Sequence, residues 1–259
     1  MNCKNCHTEL QEKDDYCRSC GGKVIKNRLS FRNLFEHLSE TFFNYDNKLL
    51  RTYIQLFKDP EDVTDGYIKG VRKKYVNPIS YLGIALTLTG IVIFIMKRIQ
   101  FKVNYDIFNT GINENYMTKV QAFTTEYSSI IFLSYIPLLV AASWLMLKNR
   151  NYNITERTVT FIYLISQSSI TTILPSIVIL LVIPQFYVNY SFFLTIFLVA
   201  YLAWSMYKIS KLKGIEFIGQ VMVFIVLFGI IYIAYSIGLV IMGLITGYFE
   251  FSDFMPDKP

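Results

Sequence analysis

Residues 218–247 read IGQVMVFIVLFGIIYIAYSIGLVIMGLITG and contain no charged side chain. About 20 apolar residues are enough for a helix to cross the hydrocarbon core of a bilayer, and two crossings need roughly 34 residues and a turn. The stretch therefore predicts one long membrane-spanning helix, which is tilted or bends near Gly229 or Gly238. A helix that is apolar on every side is typical of a membrane span.

Four more uncharged apolar runs precede this one, at 81–96, 129–147, 159–183 and 191–207. The chain of 259 residues is 53% hydrophobic and 17% charged, whereas soluble domains are about 45–50% apolar and about 25% charged. This composition excludes a soluble globular enzyme, a disordered chain and a disulfide-rich secreted scaffold. The sequence predicts an all-α polytopic membrane protein with about five transmembrane helices.

The flanks of the runs set the bounds of the expected elements. The predicted spans are about 78–97, 129–147, 159–183, 190–207 and 218–247. Pro78 can open the first helix because the first turn does not use its missing N–H, and Pro175 is expected to kink the third. We expect four parts: a cytoplasmic zinc ribbon at 1–26, a juxtamembrane helical segment at 27–77, the five-helix domain at 78–250 and a tail at 251–259.

Basic residues are distributed unevenly, and their distribution predicts the orientation of the chain. Of the 25 Lys and Arg residues, 20 lie in 1–77, 148–158 and 208–217, which five spans place on one side of the membrane. Because basic flanks stay in the cytoplasm, we expect a multi-pass protein of the cytoplasmic (inner) membrane, with the N-terminus inside and the C-terminus outside. No recognisable nucleic-acid-binding module accompanies the net charge of +6, so we expect no nucleic-acid partner.

All four cysteines lie in the first 20 residues, as two Cys-x-x-Cys pairs. Cys3 and Cys6 form the first pair, and Cys17 and Cys20 form the second. Two such pairs on short turns offer the four thiolates that Zn²⁺ prefers in closed tetrahedral sites. Disulfides or a redox site are the alternatives, but the cytoplasm is reducing and no βαβ pattern surrounds the pairs. We therefore expect one structural zinc ion on these ligands, with His7 on the surface.

Residues 27–57 have a helical period, because their apolar side chains recur mostly every three or four positions. The stripe consists of Phe31, Leu34, Phe35, Leu38, Phe42, Tyr45, Leu49, Tyr53 and Phe57. It is compatible with an amphipathic helix on the cytoplasmic leaflet and with a helix packed on the end of the bundle. Asp59 and Pro60 end the pattern, since the residue before a proline disfavours the helical conformation.

Lys69, Arg72, Lys73 and Lys74 form a basic cluster directly before the first span. Each such charge near anionic headgroups contributes about 1 kcal/mol of attraction. Fixing the topology explains the cluster by itself, and recognition of a phosphate ligand or a partner at the membrane surface is the alternative. These four residues are the candidate lipid or partner surface.

The first hundred residues resemble a known family. The resemblance rests on the order of a Cys-x-x-Cys ribbon with a trailing Gly, Arg28-Leu-Ser-Phe-Arg32, Phe42-Phe43-Asn44-Tyr45-Asp46-Asn47 with Leu49-Leu50-Arg51-Thr52, and Gly70-x-Arg72-Lys73-x-Tyr75-x-Asn77-Pro78. This order resembles an uncharacterised bacterial family of zinc-ribbon integral membrane proteins, catalogued as a domain of unknown function. The resemblance implies the architecture and supplies no reaction. In topology alone, the chain also resembles the Yip-type five-span membrane organisers.

The five runs contain no ionisable residue, whereas enzymes and coupled transporters normally place such residues inside the membrane. The sequence therefore predicts that the chain is not an enzyme. We expect a non-catalytic role in binding, assembly or regulation at the cytoplasmic face, in contact with the bilayer and with a protein partner or a second copy of the chain. The alternative is a passive channel or uncoupled transporter that uses the polar stretch 166–176.

Two groups of small or polar residues inside the spans have both a packing and a functional interpretation. Gln167, Ser168 and Thr171 could line a pathway, although interhelical hydrogen bonds are the commoner role of such side chains. Gly238, Gly243 and their small neighbours in the last span favour helix packing or a dimer face.

Overall fold

The computed structural model describes residues 2–3, 6–11, 13–21, 24, 48–99, 114–144 and 147–254. The chain forms two compact units, Met1–Asn47 and Lys48–Pro259. Residues 27–47 of the amphipathic segment lie outside the described residues, so the predicted stripe can be followed only from residue 48 onward.

All regular secondary structure in the described part of the second unit is helical. Its helices are α1 (Lys48–Lys58), α2 (Pro60–Ile68), α3 (Pro78–Ile99), α4 (Glu114–Glu126), α5 (Ser128–Ala142), α6 (Ile154–Val182), α7 (Tyr187–Ser210) and α8 (Gly214–Ile245). Short 3₁₀ turns occupy Lys148–Arg150, Pro184–Phe186 and Phe251–Phe254. The described residues contain no β-strand and only isolated bridge residues, such as the pair Asn2 and Glu9. The predicted all-α class is confirmed.

Four helices are each long and apolar enough to cross a membrane. These are α3, α6, α7 with the turn before it, and α8. A fifth crossing is formed if Thr118–Glu126 and Ser128–Ala142 count as one span, since they pass the same test together but meet at an angle of 76°. Helix α5 alone would reach about 22 Å, short of the roughly 30 Å core. The described chain therefore has four or five spans, against five predicted.

Local sequence fixes where the spanning helices begin. Asn77 Oδ1 accepts the N–H of Ser80 at 2.8 Å at the start of α3, and Pro78 follows as the first helical residue. Asn153 and Glu156 form a capping box at the start of α6, in which each side chain accepts the other's backbone N–H. This box starts α6 five residues before the predicted run at 159. Lys211 ends α7 in the left-handed conformation at φ 58°.

Helix α6 lies at the centre of the second unit and packs against α3, α5 and α7. One apolar core between α5, α6, α7 and α8 includes Leu139, Phe161, Leu164 and Met206. A second core joins α1, α2, α3 and α6 through Leu56, Val63, Tyr81 and Tyr163. Helix α8 packs mainly on α5, and most of its apolar side chains are exposed, as expected of a span that faces lipid.

The structure differs from the expectations drawn from the sequence at two places in the spans. The second predicted span extends to residue 147, but α5 ends at Ala142. The chain turns there because the guanidinium of Arg157 binds the backbone carbonyls that follow the helix, those of Ser143, Trp144 and Leu147. Gly243, which the sequence assigns to helix packing or a dimer face, contacts a residue beyond the end of its own helix: a Cβ built on it would lie 2.2 Å from the Phe249 ring.

Candidate metal centre and membrane-proximal cap

The four cysteines of the first unit converge on one point. All four Sγ atoms lie within 4.8 Å of one another, with 3.7 Å between Cys3 and Cys20 and 3.5 Å between Cys6 and Cys17. Four sulfurs around Zn²⁺ at a bond length of about 2.3 Å would be about 3.8 Å apart. The donor set therefore fits a closed tetrahedral metal site, as the spacing of the two pairs predicts.

Tight turns bring the thiols together. The N–H of His7 donates to the carbonyl of Cys3 at 2.9 Å, and the N–H of Gly21 donates to the carbonyl of Cys17 at 2.8 Å. Gly21 has φ +69°, the left-handed region that glycine adopts most readily. His7 is exposed, as predicted.

The electrostatics around Cys6 favour a thiolate. Hydrogen bonds from the side chain and backbone of Thr8 are the main cause of a Cys6 pKa lowered from 9.0 to about 6. The Thr8 Oγ1 lies 3.2 Å from Cys6 Sγ. A thiolate rather than a thiol is the form that ligates a metal.

Residues 48–77, which comprise α1, α2 and the connection to α3, form what we call the cap. Helix α1 packs onto the spanning helices: Leu56 is fully buried, and its carbonyl accepts a hydrogen bond from the Tyr201 hydroxyl at 3.2 Å. The Tyr53 carbonyl accepts one from Gln167 Nε2 at 3.0 Å. Of the two arrangements left open by the sequence, the described part of the amphipathic segment therefore adopts packing on the bundle.

Two of the three carboxylates of α2 bind the cap to loops far away in the sequence. Glu61 pairs with Arg150 and, at 2.8 Å, with Lys211. Asp65 is 5% exposed, accepts a hydrogen bond from the Tyr152 hydroxyl and lies 3.6 Å from Arg150. Because these partners come from the loops before α6 and after α7, the cap and both loops meet at one end of the unit.

The third carboxylate, Asp62, secures the connection to α3. It accepts hydrogen bonds from Lys74 at 2.8 Å, from the Tyr75 hydroxyl, and from Gln55 at 3.2 Å. Burial by itself would raise the pKa of Asp62, but the hydrogen bonds from Lys74 and Tyr75 outweigh it and hold that pKa below its ordinary value. The same balance, with Lys211 and Arg150 as donors, lowers the pKa of Glu61.

The four residues of the candidate lipid or partner surface differ in whether they form ion pairs. Lys69 pairs with Asp65 at 3.0 Å and Lys74 with Asp62. Arg72 and Lys73 are exposed, and Arg72 lies 5.6 Å from the centre of the Tyr67 ring. Two of the four charges are thus committed to holding the cap together.

Arg157 is a structural residue that the sequence did not single out. It is 5% exposed, and its Nε donates to the carbonyl of Tyr152 at 3.0 Å. Its guanidinium also lies 5.2 Å from the Trp144 ring. The capping box formed by Asn153 and Glu156 could have identified Arg157 from the sequence. It sets the start of α6 at residue 154 and so places Arg157 inside the helix.

The polar side chains of the 166–176 stretch mostly bond between or within helices. The Gln167 side chain is fully buried, and its Oε1 accepts a hydrogen bond from the Tyr81 hydroxyl. The hydroxyls of Thr89 and Ser169 lie 2.9 Å apart and join α3 to α6. Thr171 donates to the Gln167 carbonyl at 2.7 Å. The predicted role in interhelical hydrogen bonding is confirmed for Gln167 and Ser169.

Comparison with known proteins concerns the cap. Residues 46–90 match a family described as proteins of unknown function (DUF3667). The match covers the whole cap and the first half of α3, and it supports the resemblance noted from the sequence for this part of the chain. No curated protein and no solved structure matches the chain. The matched segment therefore contains the residues of α2 that pair with the loops before α6 and after α7.

Proposed function

We propose that this chain is a non-catalytic protein of a bacterial cytoplasmic membrane that docks a protein partner or a second copy of itself at the cytoplasmic face. One structural zinc ion holds the ribbon through Cys3, Cys6, Cys17 and Cys20. The closed four-sulfur set supports a structural metal, because a catalytic zinc keeps a position open for water or substrate.

The orientation in this proposal is supported by the pairing of Glu61 with both Arg150 and Lys211. The pairing brings three basic segments of the chain to one end of the second unit. Two crossings between the cap and Arg150, and two more between Arg150 and Lys211, account for this arrangement. We therefore infer five spans, with the basic end in the cytoplasm and the C-terminus outside.

The observation that carries a docking role is the contrast between paired and exposed charges. Acidic partners hold Lys69 and Lys74 within the cap, whereas the ammonium of Lys73 has no partner in the described part of the chain. A charge on the rim of a rigid, ion-paired element suits recognition of a charged partner. The turns of the ribbon likewise expose polar side chains such as that of Lys13.

Site-specific photo-crosslinking in cells tests this proposal. A photoreactive amino acid replaces Lys13 in the ribbon or Lys73 in the cap, and the control position is Phe94, an exposed residue within α3. We expect a discrete adduct from the first two positions and only lipid adducts from the third. The Lys13 adduct should disappear when Cys17 and Cys20 are changed to Ser. Identical adduct patterns at all three positions would contradict a docking role.

A passive channel is the second candidate, because Ser168, Ser169 and Thr172 line a cavity between the spanning helices. Osmotic swelling of liposomes that contain the purified chain separates the two proposals. The docking proposal expects no swelling above that of empty liposomes in small uncharged solutes. Swelling that Thr172→Val alters would favour the channel.

A further inference from the structure

A cavity of about 380 Å³ lies between α5, α6, α7 and α8. This volume falls in the range of small-molecule sites. Its walls are largely apolar and include Phe132, Leu139, Leu194 and Phe228. Thr195 of α7 both lines the cavity and is exposed, which makes it the candidate entrance from the surrounding lipid.

One polar group in this cavity lacks a partner. Ser168 lies midway along α6 and is 5% exposed, and its hydroxyl makes no hydrogen bond within the part of the chain that the structure describes. The two neighbouring hydroxyls that line the cavity have partners, since Ser169 bonds Thr89 and Thr172 donates to the Ser169 carbonyl at 2.9 Å. The Ser166 hydroxyl also has no partner among the described residues, but Ser166 does not line the cavity. An unsatisfied polar group inside the hydrocarbon region costs several kcal/mol, and a bound molecule with a polar atom would remove that cost.

The chemistry of the walls restricts what can bind. None of the described residues that line the cavity carries a carboxylate, ammonium, guanidinium or imidazole group, so a charged ligand would lose its hydration without gaining a counter-charge from them. The aromatic and leucine walls suit an apolar body. A serine hydroxyl both donates and accepts, so it suits a hydroxyl or carbonyl group on the ligand.

We propose that this cavity binds an uncharged, lipid-soluble molecule that has an apolar body and one hydroxyl or carbonyl group, which hydrogen-bonds to Ser168. The molecule enters from the bilayer past Thr195. This site is separate from the docking face of the proposed function and does not depend on it.

Photo-labelling of the full chain in phosphatidylcholine nanodiscs tests the site. The probe is a long-chain fatty alcohol that carries a diazirine, and mass spectrometry locates the labelled residues. We expect saturable labelling on the walls of the cavity. Unlabelled fatty alcohol should displace the probe, and an alkyl sulfonate of the same length should not. Labelling that never saturates, or that the sulfonate displaces equally well, would overturn the proposal.

Two matched pairs of variants test whether the probe binds in this cavity. Ser168→Ala should weaken probe binding about three- to tenfold, the range for loss of one hydrogen bond. Ser166→Ala should change probe binding less than twofold, because Ser166 is also buried with an unpartnered hydroxyl but does not line the cavity. Thr195→Trp should block labelling, whereas Ile196→Trp, at an exposed neighbour that does not line the cavity, should not. Equal effects within either pair would show that the probe binds elsewhere.

Discussion

Replacing Gln167 by Leu removes the side chain that joins the cap, α3 and α6. The amide makes two hydrogen bonds, one from the Tyr81 hydroxyl and one to the Tyr53 carbonyl. After the change, the Tyr53 carbonyl keeps its backbone partner within α1. The Tyr81 hydroxyl, in contrast, is fully buried and loses its partner. A stranded buried hydroxyl costs about 1–3 kcal/mol and each lost bond about 1 kcal/mol. We therefore expect Gln167→Leu to lower the free energy of unfolding by about 2–4 kcal/mol.

The decisive measurement is a double-mutant cycle with Tyr81→Phe. The Phe variant keeps the ring and leaves the Gln167 oxygen without its donor, which should cost about 1–3 kcal/mol. The double variant strands neither group, so it should be more stable than the sum of the two single losses predicts. We expect a coupling of at least about 1 kcal/mol, as is usual for residues in one network.

Unfolding by sodium dodecyl sulfate in mixed micelles, followed by circular dichroism, provides these free energies. Thr87→Val is the control, because the exposed Thr87 bonds no described residue other than Gly83, whose carbonyl lies in the same helix. This change should be nearly neutral. Additive losses from Gln167→Leu and Tyr81→Phe would refute the contact between them.

Three further predictions concern the metal, the orientation and the acidic residues of the cap. Elemental analysis of the purified chain should find one zinc per chain, lost when Cys17 and Cys20 become Ser without any change in membrane insertion; zinc retained by that variant would exclude these ligands. Alkaline phosphatase fused at the C-terminus should be active in a bacterial host and a fluorescent protein there should stay dark, whereas the reverse would mean an even number of spans. Because the pKa of Asp62 is lowered in the fold, its stabilising effect is present above the unfolded value near 4 and disappears as the pH falls through the folded value. Stability should therefore fall less between pH 5 and pH 3 in Asp62→Asn than in the unsubstituted chain, and parallel curves would contradict the ion pair.

Composition and hydrophobic runs were enough to predict the class of the fold, because a membrane span is specified by its own sequence. The position of α3 followed from Pro78, and the cysteine cluster followed from spacing alone. Both signals are local, so they can be detected without knowledge of the tertiary structure.

Contacts between distant segments could not be predicted in this way. The early end of α5 depends on Arg157, which follows the last residue of that helix by 15 positions. In the sequence, the acidic residues of α2 look like those commonly found in the first turn of a helix. Nothing near them identifies Arg150 or Lys211 as their partners. Gly243 looked like a residue of a helix-packing motif, and only the position of Phe249 shows what occupies the space above it.

The pairing of Glu61 with Arg150 and Lys211 also imposes an order of assembly. Glu61 is synthesised 89 residues before Arg150, and Lys211 follows only after two further helices have been made. The cap therefore cannot complete its ion pairs while the bundle is partly translated, because its partners do not yet exist. Closure of the cap is then a late event in biogenesis. In a chain truncated before residue 150, Asp65 and Asp62 would keep Lys69 and Lys74 as partners, whereas Glu61 would have neither of its own.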